Sequence, residues 1–570
     1  MPYLKKFRRE LSLAIVCLIL EDVVELMIPL ALADIMDEGI IPGDIRRVVT
    51  GCGVMLLLAL IALLFGRTYA RLIAKGGQGF GTELRSAEFA KVQQFSFLNT
   101  DHFSSSGLLT RLTGDVQIIQ NMITGGIRPA VRGMISITVA MLFSFLLDRR
   151  LAVIFLIMLP ILGIGLFLIV KFTYPLFPKQ QASIDRLNLI VQENLTGIQI
   201  VKAFCREDHE EVKFLAAAAE QRRIAERSNR ISVLNTPLMQ LGVYATICGM
   251  LLYGGHLYIE GLTTIGSLTG ILTYLRQVLN SMMMVSNVFM LITRSAASAV
   301  RVAEVLNEKP DITDEHAEDI SITEGDVRFE HVFFKYEQTA REFVLSDINL
   351  HFKPGQTIGI LGGTGSAKSS LIQLIPRLYN VSEGSLLIDG KPVEKYPLRH
   401  LREAVGVVLQ KNTLFSGTIA ENLRWGNAEA DDAELSAVCR DAAAEDFILG
   451  FPDGYQTVLG RHGTGLSGGQ RQRVCIARAL LKHPRILILD DCTSAVDTAT
   501  EAVIRKNLRE HYPDMTKIII AQRISSVMDA DQIVILQDGA VDTVGTHEQL
   551  LAGNKIYREI YQSQQEGALL

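Results

Sequence analysis

The stretch Ile358-Gly-Ile-Leu-Gly-Gly-Thr-Gly-Ser-Ala-Lys-Ser369 decides the fold of the second half of this 570-residue chain. An apolar run of strand character ends in Gly362, a glycine-rich loop follows, and a helix is expected to start near Lys368. That context is a phosphate-binding loop. Backbone N–H groups along Gly362, Gly363, Thr364, Gly365, Ser366 and Ala367 are expected to cradle phosphates at a helix N-terminus, with Ser370 in the first turn. Lys368 would neutralise the outer phosphates, and Ser369 would supply a hydroxyl to Mg²⁺. Ala367 stands where a glycine usually precedes the lysine, and its methyl group narrows the backbone's freedom.

Downstream, Arg485-Ile-Leu-Ile-Leu-Asp490-Asp491 reads as a second buried strand that carries a carboxylate, Asp490, to the sheet's C-terminal edge, within reach of a Mg²⁺ shell. Strand-like runs at 327–336, 357–361, 406–409, 486–490, 517–521 and 532–536 alternate with helical ones. This alternation predicts an α/β domain with a mainly parallel sheet. Just upstream the chain turns polar and acidic, as a linker does. The expected division is a membrane domain at 1–306, a linker at 307–324 and a nucleotide-binding domain at 325–570.

Hydrophobic residues make up 48% of the chain although 21% are charged, so the apolar content must be concentrated, and it lies N-terminally. Six apolar segments can be drawn, near 12–32, 51–70, 130–147, 151–172, 236–258 and 265–293. Each approaches the roughly 20 residues that span a bilayer. Short connections join them in pairs, while long charged gaps of helical periodicity follow the second and fourth. This predicts a six-helix bundle with stalks beyond the membrane. Lys5, Lys6, Arg8, Arg9 and the basic residues of the long gaps assign the N-terminus and stalks to the cytoplasm, although the short loops carry Arg46, Arg47, Arg149 and Arg150.

Glu21, Asp22 and Glu25 fall inside the first segment, where charge is costly. They read either as a site for a cationic or polar substrate or, the preferred alternative, as a structural pairing with Arg67 or Arg71 of the second helix or a water-lined position. Met282, Met283 and Met284 pack in the last helix or line an adaptable path. Seven scattered cysteines without paired spacing argue for reduced thiols, and Cys492 reads as a small buried one. A net charge of −5 gives no reason to propose nucleic acid as a partner.

The phosphate loop, the pentapeptide Leu466-Ser-Gly-Gly-Gln470 and the strand ending in Asp490-Asp491 together resemble the ATP-binding cassette transporter family. Residues 103–116 and 191–207 look like the intracellular loops of its six-helix exporters. The resemblance implies ATP and Mg²⁺ as cofactors. It implies that Tyr336 stacks on adenine and that Gln410 touches Mg²⁺ beside Ser369 and Asp490. It further implies that Ser467, Gly468, Gly469 and Gln470 complete a partner's site, and that Asp497 communicates across a head-to-tail cassette dimer.

Two further positions depart from the family pattern. Asp491 stands where a fast site carries a glutamate, and Gln522 replaces the switch histidine. Aspartate is one methylene shorter, and glutamine carries neither a proton nor a positive charge to the γ-phosphate. With Ala367, these departures imply nucleotide binding without rapid turnover.

The expectation is an α-helical six-helix transmembrane domain fused to a cytoplasmic α/β P-loop nucleotide-binding domain. It would act as the degenerate-site half of a heterodimeric exporter of small amphipathic compounds, lipids or peptides. The setting is the cell membrane, that of a bacterium from the half-size architecture, and the partner is a second half-transporter chain with an intact site. ATP-driven uptake on the same fold and a homodimeric ATP-gated regulator are the alternatives.

Overall fold

The computed structural model describes residues 2–173, 175–337, 340–363, 365–491 and 496–568. Thr364 of the phosphate loop, Cys492, and Ser494 and Ala495 before Asp497 lie outside the described residues. The chain divides into two compact units, one of residues 1–93 and 106–307, the other of 94–105 and 308–570.

Each of the six apolar segments lies in a helix of the first unit. In chain order these helices are α1 (Arg8–Asp34) and α2 (Ile45–Val92), then, after the short α3 (Phe97–Phe103) of the second unit, α4 (Ile127–Leu147) and α5 (Arg149–Thr173). The hairpin α6 (Leu176–Thr196) and α7 (Glu207–Ser232) leads to α8 (Asn235–Ile259) and α9 (Ile265–Asn307). Asp44 caps α2 by accepting the N–H groups of Arg46 and Arg47. At 1.5 Å per residue α2 runs about 70 Å, more than twice the hydrocarbon thickness of a bilayer. Among the described residues, 45–92 and 105–147 are each long and apolar enough to cross a membrane.

Leu26, Ala140, Met250, Ile271, Tyr274, Val278 and Met282 form one buried cluster of this unit. The Tyr274 hydroxyl donates to the Leu26 carbonyl at 2.6 Å, which satisfies its polar tip. Met282 is thus a packing residue, whereas Met284 is exposed.

The acidic trio of α1 does not pair with Arg67 or Arg71, which are exposed on α2. Its partners come from α4. Arg128 reaches Glu21 at 2.5 Å, Arg132 reaches Asp22 at 3.2 Å and Glu25 at 2.5 Å, and Ser136 donates to Asp22. The reason is spacing: Glu21 and Glu25 are one turn apart, as are Arg128 and Arg132, so two helical faces match. Toward α2 the trio meets Gly66, where a Cβ would stand 3.0 Å from Glu21 Oε1.

In the second unit, α3 starts at a capping box between Ser96 and Asn99. Asn99 Nδ2 also donates to Glu308 Oε1 at 2.8 Å and to the Lys309 carbonyl at 3.2 Å, and Ser96 bonds the Asp311 carboxylate. The chain between 308 and 325 is tied down at its far end, where Asp389 accepts the N–H groups of Thr323, Glu324, Gly325 and Asp326 at 2.7–3.1 Å.

The strands of this unit are β1 (Val327–Phe334), β2 (Leu345–Phe352), β3 (Thr357–Gly362), β4 (Glu383–Ile388), β5 (Lys391–Pro392) and β6 (Val405–Val408). They continue as β7 (Gly417–Thr418), β8 (Val458–Leu459), β9 (Ile486–Asp490), β10 (Thr516–Ile520), β11 (Gln532–Gln537) and β12 (Ala540–Gly545). The larger sheet has the order β12-β11-β3-β10-β9-β6, parallel except for the β11–β12 edge. A separate antiparallel sheet has the order β2-β1-β4-β5, so the run at 327–336 leaves the parallel sheet it was expected to join. Its cue is alternation: β1 interleaves buried and partly exposed residues, while β9 and β10 are buried throughout, as central parallel strands are.

Candidate functional site

The parallel order places the C-terminal ends of β3 and β9 next to β10, and ligand sites of such sheets form at that edge. β3 ends at Gly362, the loop turns, and helix α10 (Lys368–Leu374) begins. Ala367 holds φ +65°, in the left-handed region where a Cβ crowds the backbone. The family's glycine is absent at a position whose geometry calls for it. A Cβ added at Gly363 or Gly365 would meet nothing within 4 Å, which leaves backbone free to approach a phosphate chain. Lys368 Nζ folds over the loop and donates to the carbonyls of Gly362 and Gly363 at 3.0 and 2.7 Å and to Ser366 Oγ at 3.2 Å. Burial holds its pKa below the usual lysine range against the pull of Asp490 and Asp491.

Ser369 Oγ donates to Asp490 Oδ1 at 3.2 Å, which joins two of the candidate Mg²⁺ ligands. Burial pushes the Asp490 carboxyl above its ordinary range, with Ser369 and Lys368 opposing. A loop lysine, a hydroxyl and a buried carboxylate in one place fit a nucleotide triphosphate with a divalent cation.

Asp491 follows with φ +46°, and its N–H donates to the Ile520 carbonyl at 3.0 Å. The residue is 8% exposed, and its Oδ2 accepts Gln522 Nε2 at 2.6 Å and Gln410 Nε2 at 3.3 Å. The three residues singled out for hydrolysis, far apart in sequence, therefore meet on one carboxylate oxygen.

Tyr336 is partly exposed, and its hydroxyl lies 2.8 Å from Ser370 Oγ. Ser467 and Gln470 start helix α11 (Gly468–Leu480) as a capping box: Ser467 accepts the Gln470 N–H, and Gln470 Oε1 accepts the Ser467 N–H at 2.9 Å. The sequence Ser-Gly-Gly-Gln thus builds its own helix cap, with Ser467 and Gly468 exposed. Asp497 caps helix α12 (Thr498–His511), and the Thr500 N–H it accepts at 2.9 Å holds its carboxyl below the usual range.

Two residues at the site escaped the sequence analysis. The Tyr379 ring stands 5.1 Å from that of Tyr336 and 6.0 Å from that of Phe97, and its hydroxyl donates to Asp101 Oδ2 at 3.1 Å. An aromatic chain therefore runs from α3 to Tyr336. Gln564 braces the loop after β10: its Nε2 donates to the Gln522 carbonyl, and its Oε1 accepts the Ile524 N–H, both at 2.8 Å. Neither residue stands in a motif, and both act through contacts distant in sequence.

Residues 11–282 match the model of the ABC transporter transmembrane region, and residues 345–494 match that of the ABC transporter. The chain is 37% identical to the "Uncharacterized ABC transporter ATP-binding protein YfiB" of Bacillus subtilis, across 99% of this chain and 98% of that protein. It is 33% identical to the "ATP-dependent lipid A-core flippase" of Syntrophus aciditrophicus, across 86% and 81%. It is 32% identical to the "Probable multidrug resistance ABC transporter ATP-binding/permease protein YheI" of Bacillus subtilis, across 99% and 96%. Among solved structures, a bacterial Atm1-family ABC exporter with ATP bound superposes with a TM-score of 0.82 at 26% identity, over 98% of both chains. A helical membrane domain joined to a phosphate-loop cassette, with relatives matched end to end, makes the chain a multi-pass membrane protein of the ATP-binding cassette transporter family, with the fold of its exporters.

Proposed function

We propose that this chain is the degenerate-site half of a heterodimeric exporter of small amphipathic compounds, lipids or peptides. It holds ATP with slow turnover and donates Ser467, Gly468, Gly469 and Gln470 to a partner's catalytic site. Relatives named for multidrug resistance and for a lipid flippase support that cargo class.

One observation carries the reading: the Asp491 carboxylate is one methylene short, and the Gln522 amide holds it by a hydrogen bond at 2.6 Å. Its main chain cannot advance to compensate, because its N–H is anchored on the Ile520 carbonyl. Drawing a base back by about 1 Å from the attacking water costs on the order of a hundredfold in rate. Gln522 can hydrogen-bond a γ-phosphate oxygen but supplies no positive charge to it. Binding survives these changes. Lys368 is free to exchange its loop carbonyls for phosphate oxygens, Ser369 and Asp490 would hold Mg²⁺ with Gln410 at its edge, and Tyr336 offers a face to adenine. The cation, once bound, neutralises phosphate charge.

The second intracellular loop supports a paired assembly. Its tip presents Leu195, Ile200 and Phe204 at 67%, 66% and 72% exposure, an apolar surface that a second chain's cassette would cover. The positive-inside pattern supports a cytoplasmic setting for both cassettes.

Steady-state ATP hydrolysis by the chain alone in lipid, after nucleotide binding is verified with a fluorescent analogue, tests the reading. Binding with near-background turnover is expected, as is a gain of about a hundredfold in the Asp491→Glu, Gln522→His double variant. Rapid turnover by the unmodified chain, lost in Asp491→Asn, would make this aspartate a competent base and the homodimer the working unit.

A further inference from the structure

The charge cluster between α1 and α4 is unbalanced. Glu21, Asp22 and Glu25 bring three carboxylates to the two guanidiniums of Arg128 and Arg132. Hydrogen bonds account for most of the polar atoms. Ser136 serves both oxygens of Asp22, at 2.9 and 2.7 Å, and each arginine holds one glutamate. Among the described residues, two buried atoms of this region have no partner: Glu21 Oε2 and the Tyr69 hydroxyl.

These two atoms belong to one place. Gly66, one turn before Tyr69 on α2, faces the Glu21 carboxylate, and a Cβ there would lie 3.0–3.3 Å from its atoms. The Arg128 guanidinium that bonds Glu21 also stands 5.4 Å over the Tyr69 ring. Tyr69 is 2% exposed. The Glu21 side chain is 9% exposed against 39% for Glu25 and 41% for Arg128, so the cluster has a closed end and an open edge.

A carboxylate oxygen and a hydroxyl left without partners at membrane depth, in a cluster with surplus negative charge, are costly unless something with N–H donors and a positive charge completes them. We propose that Glu21 and Tyr69 receive the protonated amine of an amphipathic substrate, with Glu25 at the entrance. The ligand class is an ammonium that retains N–H donors, since both acceptors are hydrogen-bonding oxygens. This assignment deepens the exporter reading and rests on it. A bare proton would also balance the surplus charge, but it would make no distinction between amine and amide ligands.

The test uses the full chain in lipid nanodiscs and dansylcadaverine, a fluorescent amphipathic primary ammonium, beside its neutral N-acetyl derivative. Protein-dependent anisotropy, corrected with empty nanodiscs, gives both affinities. The ammonium probe is expected to bind at least about tenfold more tightly than the acetylated one, and Glu21→Gln is expected to erase that preference. Tyr69→Phe decides the matter should Glu21→Gln fail to fold, because it deletes only a hydroxyl without a partner. A purely structural tyrosine would leave binding unchanged, whereas a ligand contact predicts a loss of about threefold or more. Equal affinity for the two probes, no binding of the ammonium probe, or full binding in Tyr69→Phe overturns the assignment. Nucleotide binding measured on the same preparation keeps the two readings apart: its loss sinks the ATP-driven exporter, while its retention with charge-blind probe binding sinks only the amine site.

Discussion

Ala367 illustrates how one methyl group alters a nucleotide loop. At φ +65° an L-residue with a Cβ is strained by roughly 1–2 kcal/mol, and the next residue already begins α10. Ala367→Gly is expected to stabilise the protein by roughly 0.5–1 kcal/mol, despite the greater freedom of glycine in the unfolded chain. It should tighten nucleotide binding without restoring turnover, because Asp491 and Gln522 are untouched. Thermal unfolding and nucleotide titration of the variant check this, and a rise in hydrolysis would assign the slow step to the loop instead. Asp491 shows a different kind of constraint. Its identity is legible in the sequence, but its tether to Ile520 and the amide of Gln522 are tertiary facts.

Among the elements, α2 carries a buried charge outside the membrane. Glu88 lies about 27 Å beyond the apolar segment that ends at residue 70. It is fully buried, and neither carboxylate oxygen has a partner among the described residues. Burial first, and then the neighbouring Asp115 carboxylate, push its pKa up to about 7, with Arg111 opposing. Asp115 itself stays ionised, since Arg301 binds it and holds its carboxyl below the usual range. The sign follows directly. Between its ordinary value of 4.5 and about 7 the folded protein keeps a proton that the unfolded chain has lost. Stability is therefore full below pH 4.5 and declines up to about pH 7, by about 3 kcal/mol. Glu88→Gln mimics the protonated form, so it should raise thermal stability at pH 8, change little at pH 5 and flatten the slope between. An unchanged slope would mean that Glu88 is solvated or paired in solution.

For the whole molecule, the decisive feature of the proposal is that one chain carries both the Ser467–Gln470 turn offered to a partner and the Asp491–Gln522 pair proposed to turn over slowly. Ser467 and Gln470 spend their side chains on a helix cap, which presents the N-terminus of α11 at the surface. In the proposed complex with a partner that carries glutamate and histidine, Ser467→Arg is expected to lower ATP turnover by about a hundredfold, the scale of losing a donor to transition-state charge. This chain's own nucleotide binding should persist, because Lys368, Ser369 and Asp490 are untouched. Unchanged turnover in the complex would separate the signature from the partner's chemistry.

The motifs Gly362–Ser370, Ser467–Gln470 and Asp490–Asp491 were readable because phosphate and metal chemistry demands particular residue types at short spacing, and the six helices because crossing lipid demands length and apolarity. Both are local requirements, written in contiguous residues. Three features came only from tertiary structure. Glu21, Asp22 and Glu25 chose Arg128 and Arg132 over Arg67 and Arg71, because packing sets which helix faces meet. Strand β1 left the parallel sheet for an antiparallel one, although its composition suits either. Tyr379 and Gln564 joined the site through partners distant in sequence. Partner choice of this kind depends on which surfaces the fold brings within hydrogen-bond distance, a property of the packed chain that no stretch of residues encodes alone.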